Sequence, residues 1–132
     1  MRNSRSVSIR QLVVLLALFM LVSASVSASL SNKWRLQFSG GADSDGVIVI
    51  RLTPKEMEPV TAEISIEKGT GENAVAKAVV KGLKAQISTD DFHVERDDGE
   101  DVLIKKRMGA ERFGVEIVSN TVKGVRINPD KE

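Results

Sequence analysis

Apolar and polar residues along this chain follow two different periods, and the boundary between them divides it into elements. From Lys68 to Ile87, Ala76, Val79, Val80, Leu83 and Ile87 recur at helical spacing, while Lys77, Lys81 and Lys84 gather on a neighbouring face. That predicts one amphipathic helix, entered through Thr70 as N-cap with Glu72 in the first turn, where the helix dipole favours a negative charge.

On either side of it the period falls to two. Lys33 to Ser39 alternates with Trp34, Leu36 and Phe38 on one side, and Val47 to Leu52 is apolar enough to be central in a sheet. The turn chemistry of Gly40 to Gly46 lies between them and predicts a hairpin. After the two prolines of Thr53 to Pro59, Val60, Ala62, Ile64 and Ile66 alternate as a third strand.

Beyond the helix, Phe92 to Arg96 and Val102 to Arg107 flank Asp97-Asp98-Gly99-Glu100-Asp101, a strong hairpin signal. Arg112 to Val118 and Thr121 to Ile127 follow, with Gly124 placed as a bulge and 128–132 as a polar tail. The expected fold is α+β: one domain over 29–132, ordered from 33 to 127, its antiparallel sheet of six to seven strands in the order βββαβββ(β) curled around one helix. Trp34, Leu36, Phe38, Ile64, Ile66, Phe92, Val94, Phe113, Val115 and Ile117 are its candidate core.

The run from the hairpin through Lys68-Gly69-Thr70-Gly71 and an Ala-rich helix ending Leu83-Lys84-Ala85, into Phe92-His93-Val94 and Val102-Leu103-Ile104, resembles the ββαββ modules of bacterial flagellins and phage tail proteins. The likeness spans roughly residues 47 to 117. It implies an assembly or surface-display role without catalytic residues.

The N-terminus has a separate logic. Arg2, Arg5 and Arg10 precede an unbroken apolar run of 11 residues, Leu12 to Val22, and then the small residues Ser23 to Ser29. Residues 1–28 are expected to be a signal peptide, cleaved after Ala28 or, by the same small-residue rule, after Ala24. The apolar run is well short of the roughly 20 residues that cross a bilayer, so no membrane span is expected after cleavage. A secreted or periplasmic protein follows, and the lack of cysteine suits a bacterial envelope.

Export changes the charge. Of 19 basic and 18 acidic residues, three arginines and no acid lie in 1–28, leaving 16 against 18, or −2. A slightly acidic domain with one Trp and no Tyr is a poor nucleic-acid binder. Without cysteine, disulfides, thiolate metal sites and a Cys nucleophile are also excluded.

Four features could carry chemistry. Gly69-Thr70-Gly71-Glu72-Asn73-Ala74 matches G-x-G-x-x-A, yet hairpins flank it where a parallel βαβ unit is required, and Glu72 would meet the phosphate; no cofactor is expected there. Asp97, Asp98, Glu100 and Asp101, in an acidic stretch that also holds Asp90, Asp91 and Glu95, are candidate Ca²⁺ ligands, but no EF-hand spacing is present, and Lys105, Lys106 and Arg107 lie across the hairpin, where they could pair with the acids of that stretch. His93, the single histidine, falls on the wet face of its strand, and no Gly-x-Ser-x-Gly accompanies it. The two acidic turns leave Asp43, Asp45, Asp98 and Glu100 as candidate interaction loops.

The functional expectation is a non-catalytic binding module for a protein or surface polymer. A self-assembling structural or surface-display subunit is the alternative, and a Ca²⁺-stabilised envelope domain the second alternative.

Overall fold

The computed structural model describes residues 29–132. The expected signal peptide, 1–28, lies outside the described residues. Within them are seven strands and one helix: β1 (Lys33–Ser39), β2 (Gly46–Pro54), β3 (Val60–Ile66), α1 (Glu72–Gln86), β4 (Phe92–Asp97), β5 (Asp101–Lys106), β6 (Phe113–Asn120) and β7 (Arg126–Lys131). The α+β class and antiparallel pairing agree with the sequence pattern. The strands, however, form two sheets, β4-β5-β1-β7 and β3-β2-β6.

The expected β1–β2 hairpin does not form. β1 pairs with β5 and β7, and β2 with β3 and β6. The link between them carries the chain from one sheet to the other, which a tight hairpin turn would not permit. Each strand keeps the expected alternation but presents it across the molecule, so Trp34, Leu36 and Phe38 meet Ile48, Ile50 and Leu52 in one buried cluster.

The helix fills one side of this cluster, burying Val75, Ala76, Val79 and Leu83. Gly82 lets it approach β3: a Cβ there would fall 2.6 Å from Ile64 Cγ1. Its N-cap is Gly71 and no side chain caps it. Thr70, expected in that role, instead donates its hydroxyl to Glu67 O at 2.7 Å. Phe92 and Phe113 meet edge to face at 5.0 Å between centroids, and Trp34 donates Nε1–H to Phe113 O at 2.8 Å. All the candidate core residues are buried apart from Ile117, which is half-buried.

Two further expectations at the C-terminus are corrected. Thr121 to Val125 is a turn, not a strand, with Val122 and Val125 buried as its anchors. Gly124 at φ 88° belongs to that turn, and the bulge falls instead in β6, where the pairing skips Val118 opposite Val49/Ile50. The expected polar tail is β7, paired along β1 from Ser39↔Arg126 to Trp34↔Lys131. Its apolar content is low because it is an edge strand of which only Ile127 and Pro129 are even partly buried.

The sheet edges are closed in different ways. On β3, Gln86 accepts from Glu63 N at 2.9 Å and donates to Glu63 O at 2.8 Å, which occupies the outward rung. On β7, Glu132 N–H donates to Lys33 O, so even-numbered residues face β1 and Pro129 faces outward, where its missing N–H costs nothing. On β6, Ser31 makes both bonds of a rung with Phe113, at 2.9 and 3.0 Å.

Candidate functional site

The topology collects both candidate interaction loops at one end of the molecule. The β1–β2, β3–α1, β4–β5 and β6–β7 connections all lie there, around the start of the helix. Gly40 N donates to Glu72 Oε2 at 2.7 Å, and Gly99 packs against Asn73. Asp43, Asp45, Asp98 and Glu100 therefore do share an end.

Their groups are largely committed to holding the loops. Ala42 N donates to Thr70 O and Gly69 N to Ala42 O, both at 2.8 Å, stitching the first loop to the helix entry. Asp45 Oδ1 accepts from Lys68 N at 2.7 Å, and Ser44 Oγ accepts from Lys123 N at 3.0 Å. Asp43 lies against Gly124, with its own N–H donating to Lys123 O at 2.8 Å. The helix entry is thus tied to the first loop through Gly69 N and Thr70 O, and the Glu72 carboxylate is already engaged by Gly40 N, while Gly69 and Gly71 themselves stay exposed. An open cleft of about 600 Å³ beside Asp45 and Lys68 continues onto Ser65 and Glu67.

In the acidic hairpin, Asp98 at φ 48° and Gly99 at φ 79° form the turn, and Asp98 is exposed at its tip. Glu100 O accepts from Phe38 N at 3.1 Å, tying the turn to β1. Of the pairing expected between the acidic stretch and Lys105, Lys106 and Arg107, Lys105 does meet Glu95, whereas the carboxylates of Asp97 and Asp101 pair with none of the three. The register places His93 opposite Lys105, Glu95 opposite Leu103 and Asp97 opposite Asp101, so the basic residues sit at the far end of the hairpin. Lys105 bonds Glu95 Oε1 at 2.8 Å, and Arg107 donates to Thr89 O at 2.6 Å.

The partner of the two aspartates is Arg35, which the sequence pattern did not single out. On the outer face of the four-stranded sheet its Nη1 lies 3.0 Å from Asp97 Oδ2 and 2.7 Å from Asp101 Oδ2, and its Nε 2.5 Å from Glu132 Oε1. Lys33 adds a contact to Glu132 Oε2 at 2.7 Å. These two bases, Arg35 first, pull the Glu132 carboxyl down to about 2, and the three carboxylates hold the Arg35 guanidinium protonated more firmly than usual. Lys105, then His93, lowers the Glu95 carboxyl in the same way. Leu103 is buried within this charged face, beneath side chains whose aliphatic stems cover it.

Among the described residues Asp101 is the one charged residue that is buried, 7% exposed, and its Oδ1 has no partner. The guanidinium of Arg35 occupies the position between Asp97 and Asp101 that a cation would take. Among the described residues, no group of three or more His, Cys, Asp or Glu side chains is arranged to hold a metal ion. His93 Nε2 lies 3.1 Å from Glu95 Oε2 on this open face, as the alternation predicted for its side of the strand. Among the described residues no helix is long and apolar enough to cross a membrane.

The opposite end carries a feature that composition could not reveal. Met108 is fully exposed at 101% and Met57 is 56% exposed, at the tips of the β5–β6 and β2–β3 connections. Lys55 N donates to Arg112 O at 3.1 Å and Glu56 N to Glu111 Oε2 at 2.7 Å, so the two loops are held side by side. In the sequence each methionine stands alone in a polar turn, with no pattern linking positions 57 and 108.

No protein-family model matches this chain, and no curated protein matches it.

Proposed function

We propose that the chain is an exported, non-catalytic interaction module that recognises a protein partner, with residues 1–28 as its export signal. The observation that carries this reading is the pair of exposed methionines on adjoining, hydrogen-bonded loops. Methionine is flexible and polarisable, adapts to irregular apolar surfaces, and loses unfavourable hydration when covered. A non-catalytic role is supported by the location of His93, which shares Glu95 with Lys105 on an open sheet face. General acid–base chemistry requires a reacting group held against the imidazole. That face is flat.

The test is photo-crosslinking with photo-methionine at positions 57 and 108 in the envelope fraction of the producing cell. One discrete adduct, lost in the Met57→Ser/Met108→Ser double variant, is the expected result. A ladder of unrelated adducts, or an adduct unaffected by the double substitution, would overturn the reading. One observation favours the alternative, a self-assembling subunit: the edge of β6 is only partly closed, and an open edge can recruit another strand.

A further inference from the structure

The unclosed part of β6 is short and specific. The Ser31 rung at Phe113 sets the parity of the strand, so the N–H and C=O groups of Val115 and Ile117 point away from β2. Neither has a hydrogen-bonding partner among the described residues. Among the described residues a single rung covers this edge: Ser29 is exposed and forms no bridge to Val115. Toward the other end, the β6–β7 turn closes the edge, with Asn120 Nδ2 donating to Val125 O at 2.8 Å.

The side chains around this gap are apolar on one face and charged on the other. Val115 and the half-buried Ile117 and Ile127 pack on the core, and Val118 is 40% exposed at the bulge. Glu116 points to the opposite face, 3.5 Å from Arg51.

We infer that the β6 edge from Val115 to Ser119 is a strand-addition site for an extended segment of a partner polypeptide, running antiparallel to β6. Residues of that segment opposite Val115 and Ile117 are apolar, since they extend the face on which these two side chains pack against the core, and the residue between them is basic, since it faces Glu116. Main-chain bonds supply affinity and the alternate side chains supply selectivity. A second copy of this chain does not fit. The open stretch of its own β6 would set Glu116 against Glu116 or Val118 in place of a basic residue, its β3 edge is occupied by Gln86, and its β7 edge carries Pro129. The inference rests on the interaction-module reading and adds the backbone conformation and chemistry of the partner.

The probe is the peptide acetyl-Thr-Val-Lys-Val-Thr-amide, titrated into the ¹⁵N-labelled protein and followed by amide shifts and hydrogen exchange. Shifts confined to β6 around Val115 and Ile117, with slowed exchange at those two amides, are expected. They should vanish when the probe's two valine nitrogens are N-methylated, which removes its N–H donors and leaves the protein untouched. Replacing the probe's Lys by Glu should weaken binding by roughly threefold, as an ordinary cross-strand charge pair would. No shift at Val115 and Ile117, or equal shifts with the N-methylated probe, would overturn the inference. So would slow exchange of these two amides in the protein alone, because its own upstream residues or a second copy would then hold the edge. Failure here together with a discrete methionine adduct removes the strand-addition site and leaves the interaction module standing.

Discussion

Arg35 organises more of the surface than any other single residue, and its effect is readable in pH. Glu132 has a folded-state pKa of about 2 against an ordinary 4.5, so its contribution to stability is complete above pH 4.5 and is lost as pH falls toward 2. Melting temperature measured from pH 7 to pH 2 should therefore fall across that window. Glu132→Gln should melt lower at pH 7 and show a shallower acid decline; a parallel curve would remove Glu132 from the acid response. Arg35→Gln should be worse than Glu132→Gln, because it leaves buried Asp101 without its one partner. The exposed methionines are the opposite case. Met57→Ser/Met108→Ser should alter unfolding free energy by no more than about 0.5 kcal/mol in urea titration, since neither side chain packs on the core.

At the level of elements, two glycines set how closely the pieces approach. Gly82→Ala adds a methyl 2.6 Å from Ile64 Cγ1, and the overpacking cost of about 1–3 kcal/mol should exceed the gain of about 1 kcal/mol in helix propensity. Net destabilisation in urea is the expected outcome, and net stabilisation would show that the helix can slide off β3. Gly40→Ala should be more damaging, because φ is 81° and the new Cβ would collide with Gly124 O where two loops cross.

These contacts mark where the sequence became unreadable. The alternation of Trp34, Leu36 and Phe38 fixes which face β1 buries, but it says nothing of which strands lie beside it. The hairpin reading of Gly40 to Gly46 failed for that reason, while Asp98-Gly99, a specific turn dipeptide, placed β4 against β5 correctly. β7 was hidden because Arg126-Ile127-Asn128-Pro129-Asp130-Lys131 lacks an apolar stripe and contains a proline, which an edge strand tolerates and a central one does not. Of the candidate site, the acidic turns were legible and their charge partner was not. Arg35 is 62 residues from Asp97, and only the β1–β5 register brings them together.

For the whole molecule, two layers and a helix enclose one core, and most edges of the sheets are occupied by Gln86, Pro129 or Ser31. Such closure opposes open-ended assembly by strand pairing. The same economy applies to cations: with Arg35 between Asp97 and Asp101, millimolar Ca²⁺ should leave the melting temperature unchanged, and a clear rise would reinstate a Ca²⁺-stabilised domain. A discrete module that contacts a different molecule should remain a monomer by itself. Size-exclusion chromatography with light scattering, on the mature chain over a wide concentration range, tests it most directly. A constant monomer mass is predicted, and a mass that climbs with concentration would contradict the account in favour of a self-assembling subunit.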